Sequence, residues 1–136
     1  MTAHDRQDIV DVLFEYARNL DQKNWEGFAE LYAPDGVLVL PWGDEVPRSE
    51  IASDTEHKLG RFVATQHISA NQEVAFDGDT ARSRSNVQAA HVTTTGEVWI
   101  IGGFYECDYR LIDSAWKFTR VKLNSVWESG PLPEFE

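Results

Sequence analysis

Between residues 64 and 128 the chain repeats one pattern four times: β-branched and aromatic residues alternate with polar ones, and each run closes on a turn signal. Asp77-Gly78 is a strong two-residue hairpin signal, Thr95-Gly96 a weaker one, and Asp113-Ser114 suits a third turn. The spacing predicts strands over 64–76, 79–94, 97–112 and 115–128. Connections this short join antiparallel neighbours, because a parallel crossover needs a dozen or more residues. An antiparallel meander of this length has a face to bury, and the preceding residues must cover it.

Those residues read as helices. Ile9, Val10, Leu13, Phe14, Ala17 and Leu20 recur at spacings of three and four, and Thr2 with Asp5 forms a weak capping pattern ahead of them. Asn24 is an expected N-cap for a shorter helix with Trp25, Phe28, Leu31 and Tyr32 on its apolar side, stopped by Pro34-Asp35-Gly36. Residues 37–42 read as a short strand and 49–62 as a third helix. Helices first and sheet afterwards is an α+β layout, and with no repeat or linker the expectation is one domain over 1–136.

The balance of charge removes whole classes of function. Twelve Lys and Arg stand against 23 Asp and Glu, a net charge of −11, which repels both a phosphate backbone and an anionic membrane surface. No nucleic acid and no membrane partner is expected. The single cysteine forms no intrachain disulfide and no thiolate zinc cluster, and with no apparent secretion signal the expected location is cytoplasmic. Sixteen aromatic residues (five Trp, four Tyr, seven Phe) against one Met suit a rigid, shaped pocket.

Candidate chemistry starts with Asp21, which follows Val10, Phe14 and Ala17 at helical spacing. Either it ends the helix near the surface, or it is drawn inside and needs a partner. Tyr16 lies on the adjacent row with Ile9, Leu13 and Leu20, so its ring should be inside while its hydroxyl seeks a polar group. His67 shares a strand face with Ser69 and Asn71, a polar row whose direction alternation alone does not assign. His91 ends the row Ala81, Ser83, Ser85, Val87, Ala89 and is expected to point inward. Tyr105 lies in the row from Trp99 to Leu111 and is a second candidate donor. The opposite face carries Phe104, Ile112 and Phe118 among charges, an apolar surface suited to pairing as a homodimer.

The helix with Tyr16 and Asp21, Trp25 opening the next helix, and the later segments Gln66-His67-Ile68-Ser69-Ala70-Asn71, Phe76-Asp77-Gly78-Asp79-Thr80-Ala81, Gly103-Phe104-Tyr105 and Trp116-Lys117-Phe118-Thr119-Arg120 together resemble the SnoaL-like branch of the nuclear transport factor 2-like superfamily. The resemblance implies a cone-shaped α+β barrel, with N-terminal helices packed on a curved, mostly antiparallel sheet around a pocket. It places Asp21 and His67 at the positions of that branch's catalytic Asp/His pair, His91 at a second histidine, and Tyr16 at a first-helix tyrosine of some members.

Such a pair suits proton transfer at neutral pH: an imidazole takes a proton from carbon while a carboxylate fixes its tautomer and supports the imidazolium. A Tyr16 or Tyr105 hydroxyl would stabilise developing negative charge. The resulting expectation is a cofactor-independent lyase of dehydratase type, without a metal, acting on a small hydrophobic, polyketide-like or steroid-like compound. Its catalytic residues would be His67, Asp21, Tyr16 and His91, with Tyr105, Trp42, Trp99 and Asn71 contacting substrate. The alternatives on the same fold are an isomerase or polyketide cyclase, which expels no leaving group, and a non-catalytic binding or assembly module.

Overall fold

The computed structural model describes residues 5–131. Helix α1 spans Arg6–Asp21, α2 Trp25–Glu30 and α3 Arg48–Leu59; the strands are β1 Tyr32–Val39, β2 Glu45–Pro47, β3 Ala64–Asp77, β4 Thr80–Val92, β5 Val98–Ile112 and β6 Ala115–Ser129. They form one open, mixed six-stranded sheet in the order β2-β1-β6-β5-β4-β3. The expected meander is present as β3 to β6, antiparallel throughout. Its Asp113-Ser114 turn has both residues at positive φ, +49° and +69°, the pair of left-handed conformations that matches the twist of a tight hairpin. Helices first, then a sheet they cover on one face, is the cone-like α+β arrangement expected.

Packing explains where the structure departs from the periodicity. Asp5 caps α1, exchanging bonds with Asp8 in a capping box, while the expected contribution of Thr2 lies outside the described residues, as does the tail beyond Pro131. The buried stripe of α1 is Ile9, Val10, Leu13, Tyr16 and Leu20. Phe14, assigned to the stripe by spacing, is 55% exposed, so Asp21 does not continue a buried row. Pro34-Asp35-Gly36 does not stop α2, which ends at Glu30; it is an irregular stretch within β1, where the parallel pairing to β6 shifts between Tyr32 and Val37. A Cβ on Gly36 would meet the Phe118 carbonyl at 2.8 Å, so the missing side chain lets β1 approach β6.

Phe118 is a correction. Its outward assignment assumed unbroken alternation, but a bulge shifts the β5–β6 register so that Asp108 faces Arg120 and Tyr109 faces Phe118. Phe118 is fully buried, its ring 5.0 Å from Tyr109, 5.3 Å from Tyr32 and 5.8 Å from Tyr16. The outer face therefore loses one of the two phenylalanines assigned to it.

Candidate functional site

The site is assembled where α1 ends over the start of β3. Gln22 is the C-cap of α1, and Lys23 adopts a left-handed φ of +58°. The Lys23 N–H donates to the Leu20 carbonyl at 3.1 Å and the Asn24 N–H to the Asn19 carbonyl at 2.8 Å, the paired bonds of a Schellman stop. Asn24 then caps α2 by accepting from the Gly27 N–H at 3.0 Å. A Cβ at Gly27 would lie 2.5 Å from the Asn24 amide nitrogen, so that close approach needs glycine. Lys23 donates through Nζ to the Phe62 carbonyl at 2.6 Å, tying the helix end to the segment leading into β3.

Asp21 is thereby held at the negative end of a helix dipole, an unfavourable place for a carboxylate. Three donors, making four contacts, compensate it. The Thr65 hydroxyl donates to Oδ1 at 3.0 Å, the His67 backbone N–H reaches Oδ2 at 3.0 Å and Oδ1 at 3.2 Å, and His67 Nδ1 lies 2.7 Å from Oδ1. Partial burial pushes the carboxyl up, but the ring bond, the backbone bond and the charge interaction with His67, with the Thr65 bond, outweigh it, and the Asp21 pKa is lowered overall. Each of the two readings left open for Asp21 holds in part: it ends α1 and stays partly exposed, yet it is partnered, in direct contact with a residue 46 positions away.

His67 lines a cavity of about 490 Å³ that Asp21 itself does not line. With Nδ1 committed to Asp21, Nε2 is the ring nitrogen left for the cavity. His91, also lining it, is buried with its ring 5.9 Å from that of His67, edge to face. Phe62 and Trp99 flank the His91 ring at 5.0 and 4.4 Å. Its Nδ1 lies 3.1 Å from the Trp99 carbonyl, which can only accept, so Nδ1 carries the proton and Nε2 a lone pair. Burial pushes the His91 pKa down to about 4 against the opposing pull of that carbonyl. His91 is neutral at pH 7.

Tyr16 and Tyr105 form the buried end of the cavity with ring centres 5.1 Å apart. Burial raises both phenols well above their usual range, with nearby tyrosines adding to the rise, so both remain hydrogen-bond donors. Trp99 lines the wall and Trp42 the rim. Trp42 sits on the turn between β1 and β2, 62% exposed, donating its indole N–H to Asp44 at 2.6 Å.

Asn71 is the site residue that the structure removes. It adopts a left-handed φ of +55° where the β3–β4 register shifts, is exposed, and does not line the cavity. The extra residue breaks the alternation carried forward from His67 and Ser69, so Gln72 and Val74 face in instead. Residues the sequence reading did not single out include Thr65, two places before His67 on the same face, and Asp54, Lys58, Asn124 and Glu128 on the cavity wall. Thr65 was visible from alternation; the others are contributed by α3 and β6, whose approach to His67 is non-local.

The comparisons with known proteins agree with this fold. Residues 1–122 match the SnoaL-like domain. A crystal structure from Novosphingobium aromaticivorans, provisionally named a scytalone dehydratase, superposes with a TM-score of 0.86 at 24% identity, over 95% of this chain and 89% of that one. A hexachlorocyclohexane dehydrochlorinase from Novosphingobium barchaimii gives a TM-score of 0.81 at 17% identity, over 93% and 89%. The β subunit of toluate 1,2-dioxygenase from Pseudomonas putida is 44% identical over 79 residues, which are 58% of this chain and 47% of that subunit, so the match spans about half the relative's length. With the family match extending from the first residue into β6, the chain belongs to the SnoaL-like domain family.

Proposed function

We propose that this protein is a lyase of dehydratase type that works by proton transfer alone, with His67 as base and Asp21 as the residue that orients it. The observation that carries the proposal is the 2.7 Å contact between His67 Nδ1 and Asp21 Oδ1, on a histidine that also lines the cavity. His67 Nε2 removes a proton from a carbon beside a carbonyl, and Asp21 stabilises the imidazolium that results. The carbon–oxygen bond to a β-hydroxyl then breaks, and the proton returned from His67 leaves with that oxygen as water. Tyr16 and Tyr105, held protonated, donate to the carbonyl oxygen as it gains charge. His91, neutral, accepts through Nε2 from a hydroxyl of the substrate. Two solved structures of similar fold bear the names of eliminating enzymes, which supports elimination as the reaction class.

The same base and phenols also serve an isomerase, which moves a proton and expels nothing; the pair of phenols beside one base is what favours that second reading. A bicyclic β-hydroxy ketone that becomes a naphthol on dehydration separates the two. The expected result is a product lighter by one water, formed by the parent protein and at least about a hundredfold more slowly by His67→Ala. A product of unchanged mass supports isomerisation. Full turnover by His67→Ala rejects the dyad, and tight binding without any turnover makes the protein a binding module.

A further inference from the structure

The cavity has a chemical gradient that the proton-transfer mechanism does not use. Its buried end is aromatic and aliphatic, whereas the ionised side chains of Asp54, Lys58 and Glu128 gather towards the rim, where Trp42 and Glu128 are exposed and Asp54 and Lys58 half-buried. Trp42 stands on one side of the rim. Its ring has Lys58 Nζ 5.5 Å from its centroid, and Lys58 is itself bonded to Asp54 at 2.9 Å, one turn earlier on α3. Glu128 of β6 also lines the cavity, and Asp44 is bonded to the Trp42 indole. The rim thus counts three carboxylates against one ammonium, and that ammonium already has a carboxylate partner.

Among the described residues that line the cavity, no cation further in offsets this. His91 is held neutral by burial, and any positive charge on His67 is matched by Asp21 at 2.7 Å. An anion drawn from water into this cavity would shed its hydration and meet no uncompensated positive group. It would also approach a protein of net charge −11. An uncharged planar ring pays neither penalty and covers the indole face that Trp42 exposes to water.

We infer that the rim formed by Trp42, Asp54, Lys58 and Glu128 is a charge filter, admitting uncharged planar compounds and rejecting carboxylates of the same shape. The inference deepens the function proposed above and rests on its reading of the cavity as the substrate site. Lys58 is the hinge of the prediction: with Asp54 in place it is neutralised, and without Asp54 it becomes a carboxylate anchor. The filter is therefore invertible by one substitution.

The test is calorimetric titration of the full chain at pH 7.5 and low salt with two matched probes, 2-naphthamide and 2-naphthoate. The parent protein is expected to bind the amide at least about tenfold more tightly, a gap that narrows as salt is raised. Asp54→Asn should improve naphthoate binding by about fivefold or more and change amide binding by clearly less than that. Adding Lys58→Met to that variant should erase the gain, and Glu128→Gln should give a smaller gain of the same sign. Equal or tighter naphthoate binding by the parent, a gap untouched by Asp54→Asn, or binding of neither probe would each overturn the filter. Turnover is not read in this experiment, so a failed dehydratase assay with the gap intact rejects the proposed reaction and not the filter.

Discussion

His67 and His91 lie in one cavity with rings 5.9 Å apart, yet their neighbours differ in kind. His67 Nδ1 meets a carboxylate that three further bonds hold in place. His91 Nδ1 meets a backbone carbonyl and its ring is flanked by Phe62 and Trp99. Both contacts fix the tautomer and leave Nε2 as the free ring nitrogen of a histidine that lines the cavity. Only the first supplies a negative charge to balance a transferred proton, so the partner rather than the imidazole decides which ring can act as a base. The second ring is confined to accepting a hydrogen bond.

The largest test of this contrast is kinetic. With a turned-over substrate, His67→Ala is expected to lower kcat by more than about a hundredfold at nearly constant ligand affinity. Asp21→Asn should fall almost as far, and the double variant little further, because the two residues form one unit. Additive losses measured by steady-state kinetics would break the pairing. A His91→Ala loss as large as that of His67→Ala would erase the distinction between the two rings.

Next in size is the pH dependence of stability. The folded pKa of His91, about 4, lies below its ordinary 6.5, so the unfolded chain takes up the proton first as pH falls. Stability tied to His91 is complete above about 6.5, declines between 6.5 and 4, and is then constant, a total of about 3 kcal/mol. Asp21, with its pKa lowered, contributes above the ordinary carboxylate value, and that contribution goes as pH falls through its folded pKa. Denaturant unfolding at pH 7 and 4.5 should show His91→Gln losing much less than the parent over that interval. Asp21→Asn should keep the parent's loss, since its window lies lower.

Smaller effects sharpen the contrast. His91→Leu keeps the site filled but removes the Nε2 acceptor and, with it, the Nδ1–H bond to the Trp99 carbonyl, so kcat should fall about tenfold, the worth of the lost acceptor, with a separate loss of stability. Asn24→Ala removes the cap of α2 and should cost about 1 kcal/mol in thermal or chemical unfolding. It should also affect catalysis through Asp21 more than it affects the His91 titration, because Asn24 belongs to the α1–α2 joint.

Local signals carried much of the fold. Asp113-Ser114 marks its turn, Asp77-Gly78 marks one a residue early, since Asp77 pairs with Thr80 and the loop is Gly78-Asp79, and the small residues from Ala81 to Ala89 do line the inner face with His91 at their end. What was illegible depends on bulges and on pairing between distant segments. Nothing in the alternation marks Asn71 as an extra, left-handed residue, and the same kind of slip turned Phe118 inward. The parallel pairing of β1 with β6 joins segments about 80 residues apart, and no local rule specifies it. The direction of His67 was likewise undecidable from its own strand, because its face-mates are polar; Asp21 on α1 settles it, and that contact is tertiary.

The Schellman stop at Lys23 makes α1 an angular ruler. Each helical residue advances the azimuth by about 100° and the axis by about 1.5 Å, so the sixteen residues from Arg6 to Asp21 determine the compass bearing on which the final carboxylate is presented. One residue inserted between the helix's packing stripe and its stop would leave every side chain type in place and swing Asp21 away from His67. The meeting of Asp21 with His67 is therefore encoded in a chain length as much as in a residue identity.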